Sequence, residues 1–111
     1  MSKICSPGEL RECAKSGEGV FVLFYAPWCP FSMAFLPVYE KHAAGRDREF
    51  VRVVLDGNEE LFDEHEVDVY PTVLFFKNGA VARRLDGKHL SGLKEKQLTE
   101  LIASCGLPSG S

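Results

Sequence analysis

The stretch Val20 to Met33 reads VFVLFYAPWCPFSM, and its first seven residues decide the architecture. Val20 to Ala26 form an unbroken apolar, β-branched and aromatic run of strand length. That pattern fits a strand buried on both faces, since a strand with one wet face alternates. A helix is predicted from near Cys29 to about Ala44, closed by Gly45. Pro37 inside it removes one backbone donor and predicts a kink.

Upstream, Ser6-Pro7-Gly8-Glu9 supplies an N-cap serine, a proline at the first helical position and a glutamate in capping-box register. A short helix should therefore run to about Lys15 and end at Gly17 and Gly19. Downstream, FVRVVLD (Phe50 to Asp56) reads as a second buried strand. Asn58 ahead of Glu59 and Glu60 reads as the N-cap and acidic first turn of a short helix. After Tyr70-Pro71, TVLFFKNGAVARRL forms a hairpin that turns at Asn78-Gly79, a dipeptide tolerant of positive φ. Leu98, Leu101, Ile102 and Cys105 then mark one stripe of a terminal helix stopped by Gly106 and Pro108. The order is βαβαβαββα. It implies an α/β fold: a mixed central sheet, mostly parallel, flanked by helices on both faces, with the hairpin at one side. Residues 1–106 read as a single domain and 107–111 as a tail of a composition that cloning also leaves behind.

Composition narrows the function. The chain has 111 residues, 45% hydrophobic and 26% charged, enough for one core without staples. A net charge of −3 spread without blocks leaves no footprint for nucleic acid or anionic lipid. No apolar run approaches the roughly 20 residues a bilayer span needs. The start MSKICSPGEL lacks the apolar region of a signal peptide, which slightly favours the cytoplasm and leaves a trimmed secretory-pathway domain open. The four cysteines, Cys5, Cys13, Cys29 and Cys105, match no zinc spacing, and no metal or cofactor is expected. Cys5, Cys13 and Cys105 read as small buried hydrophobes. His42, His65 and His89 are scattered, none beside Cys29 in sequence, so no Cys–His hydrolase is inferred.

Cys29 differs because of its place. In open α/β sheets chemistry gathers at the carboxyl ends of strands, and Cys29 directly follows the central one. It also opens a helix, where unpaired N–H groups and the dipole favour a thiolate. Its surroundings, Trp28-Cys29-Pro30-Phe31-Ser32, look like a C-x-x-C redox pair with its fourth position changed to serine.

YAPWCPFS, the YPT at Tyr70 to Thr72, LFFKNG at Leu74 to Gly79 and the glycine of LDG at Gly87, in this order, resemble the thioredoxin family. YAPWC in particular resembles the catalytic domains of protein disulfide isomerases. The likeness runs from about Val20 to Ile102 and implies a thioredoxin fold. It implies Pro37 as the kinking proline of the active-site helix and Pro71 as a cis-proline facing the nucleophilic sulfur. Trp28, Cys29, Tyr70, Pro71 and Gly87 would outline the substrate groove, with Cys29 and Ser32 as the catalytic pair; Pro30 and Phe31 are also expected to bind substrate, Phe31 because it sits between Pro30 and Ser32 in the exposed turn. Protein disulfides or thiols, and glutathione, are the implied partners.

Two departures from the family's pattern shape the expected chemistry. In the family's dithiol cycle the second cysteine breaks the mixed disulfide; Ser32 cannot, although its hydroxyl can donate a hydrogen bond to the Cys29 thiolate. Six residues before the nucleophile the family commonly carries a buried acid, and here stands Leu23. The expectation is thus a monothiol thiol–disulfide oxidoreductase with only the first half-reaction intact. If another thiol of this chain resolved the adduct, Cys5 at the end of the first strand would be the first suspect. A redox-silent peptide-binding or chaperone-like module, a cysteine-to-serine trapping variant of a dithiol thioredoxin, and an iron–sulfur protein suggested by CPFS stay open as alternatives. A colourless protein after anaerobic purification would eliminate the last. Arg52 and Asp56 read as a surface or edge ion pair.

Overall fold

The computed structural model describes residues 2–46, 49–88 and 92–105. The elements are β1 (Lys3–Ile4), α1 (Pro7–Ala14), β2 (Val20–Tyr25), α2 (Pro30–Ala43), β3 (Phe50–Val54), α3 (Glu59–Glu64), β4 (Thr72–Lys77), β5 (Ala80–Asp86) and α4 (Glu95–Ser104). The expected order βαβαβαββα is the observed one. The tail at 107–111, the stop signals Gly106 and Pro108, and His89 lie outside the described residues.

The five strands form one sheet in the order β1-β3-β2-β4-β5, which puts β2 in the centre. β1 and β2 pair parallel with β3, whereas β4 runs antiparallel to both β2 and β5. Every residue of β2 is buried, as its unbroken apolar run requires. Val20, Val22 and Phe24 point into a cluster closed by Leu10 and Ala14 of α1 and Leu61 and Phe62 of α3. The alternate residues Phe21, Leu23 and Tyr25 point into a second cluster with Phe35, Tyr39 and Ala43 of α2 and Leu98, Leu101 and Ile102 of α4. Each fully buried large side chain contributes roughly 1.5–3 kcal/mol of transfer free energy. Tyr39 adds direction to the packing: its hydroxyl donates to the Val51 carbonyl at 2.6 Å and also lies 3.0 Å from that of Phe21, tying α2 to β3 and β2.

Local signals act much as read, with instructive exceptions. Ser6 and Glu9 form the reciprocal capping box of α1. Asn78 and Gly79 take φ of 54° and 85° in the hairpin turn. Asn58 is the N-cap residue of α3 as expected, but its side chain makes no capping hydrogen bond; its amide donates instead to the Val54 carbonyl at 2.8 Å. The second buried strand ends at Val54, two residues before the expected Asp56, since Leu55 to Asn58 turn the chain through Gly57 at φ 82°.

Arg52 is not at the surface. Its residue is 8% exposed, and its guanidinium donates to Glu40 Oε1 at 3.0 Å, to the Ser2 carbonyl at 2.8 Å and to the Tyr25 hydroxyl at 3.2 Å. Asp56 is exposed and takes no part. Burial pushes the Glu40 carboxyl up, but hydrogen bonds from Ser2 and the Arg52 charge prevail and hold it below the ordinary glutamate range. A carboxyl that titrates lower when folded stabilises the fold fully above its unfolded value, about 4.3, and loses that contribution as pH falls through the folded value. Glu40→Gln should therefore flatten the acid limb of stability. Urea midpoints between about pH 5 and pH 2 test this, and an unchanged pH slope would contradict it.

Candidate functional site

Cys29 is the N-cap of α2, in extended conformation (φ −92°, ψ 118°), with its N–H donating back to the Ala26 carbonyl at 3.0 Å. Pro30 follows at the first helical position, where its missing N–H costs nothing. The short link from the end of β2 to α2 carries the thiol over the carboxyl end of the central strand. There it points at the Tyr70 carbonyl, 3.9 Å away, beside the Tyr70–Pro71 peptide, which is cis. Cys29 is half-buried.

An open groove of about 300 Å³ runs beside the sulfur, lined by Trp28, Cys29, Pro30, Phe31, Asp68, Val69, Tyr70 and Lys88. Trp28 is 64% exposed and stands edge-on to Tyr70, with ring centroids 6.0 Å apart. Tyr70 in turn stacks edge-on against buried Phe62 at 5.7 Å, so the core fixes one wall of the groove. Burial first, then the charges of Asp63 and Asp68, push the Tyr70 phenol up, so this wall stays neutral. Phe31 sits in the first turn of α2, half-buried, rather than in a fully exposed turn. One side of it lies so close to Gly92 that a Cβ there would stand 2.9 Å from Phe31 Cβ.

The remaining expected site residues lie one layer back. Pro71 is buried behind Tyr70. Gly87 packs on the Pro71 backbone: a Cβ at Gly87 would lie 2.3 Å from the Pro71 carbonyl oxygen. Ser32 is fully buried and turned inward, its Oγ accepting from the Ala26 N–H at 3.2 Å, so its hydroxyl engages the strand end and not Cys29. Leu23 is also fully buried, in the apolar cluster beneath α2. Asp68, Val69 and Lys88 escaped the sequence reading; their only signal was their position next to YPT and LDG.

The other thiols stand apart. Cys5 is 1% exposed in the cluster under α1, on the opposite face of the sheet from α2, which removes it as a resolving thiol for Cys29. Cys13 and Cys105 are half-buried, less sheltered than expected for small hydrophobes. Burial pushes the Cys105 thiol up. Among the described residues no group of histidine, cysteine and acidic side chains could hold a metal ion, and no helix is long and apolar enough to cross a membrane.

A five-stranded α/β sheet with a thiol at the start of the helix after its central strand defines a thiol-redox architecture. The thioredoxin family model matches residues 9–103, and the chain belongs to that family. It is 32% identical over 103 residues to a thioredoxin of Mycoplasmoides gallisepticum, covering 92% of this chain and 99% of the relative. It is 31% identical over 90 residues to protein disulfide-isomerase 1 of Caenorhabditis elegans, covering 77% of this chain but only 19% of that longer protein. The solved thioredoxin of Fasciola hepatica superposes with a TM-score of 0.79 at 29% identity, covering 94% of this chain and 98% of that one. The protein is thus a thioredoxin-like redox protein, and such relatives act on protein thiols or disulfides.

Proposed function

We propose that the protein is a monothiol thiol–disulfide oxidoreductase that works through Cys29. The observation that carries this reading is the site's single accessible sulfur: Cys29 opens onto the groove, and the position three residues on holds a buried hydroxyl engaged by Ala26. A substrate disulfide settles along the groove, with Trp28 and Tyr70 as apolar walls. The Cys29 thiolate attacks one of its sulfurs, forms a new S–S bond and expels the other sulfur as a thiolate. Ser32 cannot attack that bond, because a hydroxyl neither ionises at neutral pH nor joins disulfide exchange. Release therefore needs an external thiol, glutathione or a protein thiol, whose thiolate displaces Cys29 and takes over the bound sulfur.

Incubation with oxidised glutathione should leave a persistent adduct on Cys29, visible in the intact mass after free glutathione is removed and mapped by peptide mass spectrometry. Rapid loss of the adduct without added thiol would contradict the proposal. The apolar groove wall at Trp28 also suits a redox-silent peptide-binding module. Peptide binding that survives Cys29→Ser, in a protein that forms no adduct, would favour that reading.

A further inference from the structure

The groove beside Cys29 carries two charges of opposite sign, and they enter it from different loops. Asp68 stands on the loop that presents Tyr70, whose ring meets Trp28. The backbone is held on both sides of it: the N–H of buried Val67 donates to the Phe62 carbonyl at 2.8 Å, and the Val69 carbonyl accepts from Thr72 Oγ1 at 2.7 Å. Lys88 follows Gly87, whose backbone packs on Pro71. The Lys88 N–H donates to the Gly92 carbonyl at 3.1 Å, its carbonyl accepts from the Gly92 N–H at 2.9 Å, and Gly92 lies against Phe31. Both charged residues are exposed. Among the described residues neither takes part in an ion pair, and Arg84, whose charge interacts with Asp68 at longer range, is bound to Asp86 at 2.8 Å. Charges that the protein leaves unpaired are open to a ligand, and complementary charges on that ligand fix its register in the groove.

Given Cys29 as the attacking thiol, on which this rests, we infer that Asp68 and Lys88 are specificity-determining residues of its groove. They select peptide disulfides that carry a cationic side chain on one side of the cysteine and an anionic one on the other. The substrate sulfur must meet Cys29 beside the cis Tyr70–Pro71 peptide. Asp68 lies two residues before Tyr70, and Lys88 lies one residue after the glycine that packs on Pro71. An extended substrate chain advances about 3.3 Å per residue, so side chains as long as lysine and glutamate next to its cysteine come within reach of both loops. One loop meets Trp28, before Cys29, and the other meets Phe31, after it, so the two charges flank the sulfur from different walls. In one order of the peptide a cation meets Asp68 while an anion meets Lys88. In the reverse order like charges face each other at both places and repel. The groove therefore reads the order of the flanking charges and not their sum.

The test compares two isomeric peptides, acetyl-Lys-Cys-Glu-amide and acetyl-Glu-Cys-Lys-amide, each as its symmetrical disulfide. They share composition and net charge, so only a groove with two separated charges distinguishes them electrostatically. The reduced full chain is mixed with each at low ionic strength. The Cys29 thiolate takes one peptide as a mixed disulfide and releases the other as a thiolate, and intact masses after acid quenching give the rate. One order should react about 3- to 10-fold faster in the parent, the scale of two exposed charge pairs. The double variant Asp68→Lys, Lys88→Asp should invert that ratio, because the fixed charges have changed places. Salt at about 0.5 M should bring both ratios towards one. A ratio taken within each protein cancels any general effect of the substitutions on Cys29. Equal rates for the two peptides in the parent, or a preference that keeps its direction in the double variant, would overturn the inference while leaving Cys29 as the reactive thiol. Failure of the parent to form any adduct, even with the uncharged disulfide of acetyl-Gln-Cys-Gln-amide, would overturn the reading of Cys29 and this inference with it.

Discussion

Ser32→Cys should turn the protein into a slow multiple-turnover reductase of a protein disulfide such as insulin, and a second change, Leu23→Asp or Leu23→Glu, should speed it. A cysteine at position 32 would lie one helical turn beyond Cys29, on the same face of α2 and within reach of its mixed disulfide. To attack, it must lose a proton. Position 23, where the family commonly carries a buried acid, holds the fully buried Leu23 among apolar side chains, which cannot accept that proton. A positioned acid–base group contributes about 10²–10⁴-fold to such a step, which sets the gain expected from a carboxylate at position 23. That carboxylate would be buried at a cost of several kcal/mol, partly offset by Arg52, which stands opposite Leu23 in the β2–β3 register but already serves Glu40. Turnover of the parent, the single variant and the double variants with a fixed external reductant, alongside their urea midpoints, measures both effects. Ordinary thioredoxin rates from Ser32→Cys alone would show that Leu23 withholds nothing, and that Ser32 stands in an otherwise working dithiol site.

Gly87→Ala should impair the site from behind. The added Cβ would fall 2.3 Å from the Pro71 carbonyl oxygen, a backbone atom that cannot rotate away. Either β5 or the Tyr70–Pro71 loop must shift, at a cost of about 1–3 kcal/mol typical of overpacking. Because that loop presents the Tyr70 carbonyl to Cys29 and the Tyr70 ring to Trp28, formation of the glutathione adduct should slow as well. Iodoacetamide, too small to need the groove, should react with Cys29 at nearly the parent rate. Unchanged stability together with unchanged adduct formation would mean the loop does not depend on Gly87.

Much of this was legible in the chain because single residues carried strong local signals. The length and the β-branched and aromatic content of the Val20 to Ala26 run suit a doubly buried strand. Ser6 with Glu9, and Asn78 with Gly79, encode a cap and a turn in short stretches of backbone, where tertiary context has little leverage. Arg52, and the partner of the Asn58 side chain, were misread for the opposite reason. A charged residue inside a strand looks like an edge residue until folding brings Glu40 and Ser2 to it, and an asparagine before a helix caps only if no nearer carbonyl claims its amide. Ser32 illustrates the same limit at the site: the sequence gives its hydroxyl a choice of partners, and the turn after β2 hands it the Ala26 N–H. Asp68, Val69 and Lys88 had no motif of their own, because a groove wall is made by two loops meeting and neither loop announces it alone.

The role of Cys29 is tested most directly by its reactivity against that of the other thiols. With limiting iodoacetamide at pH 6.5, and the label located by peptide mass spectrometry, Cys29 should be modified first. Half-buried Cys13 and Cys105 should follow, and Cys5, sealed in the core with its thiol pushed up to about 12, should be last. Labelling of Cys13 or Cys105 as fast as Cys29 in the native protein would contradict the assignment of Cys29 as the activated nucleophile.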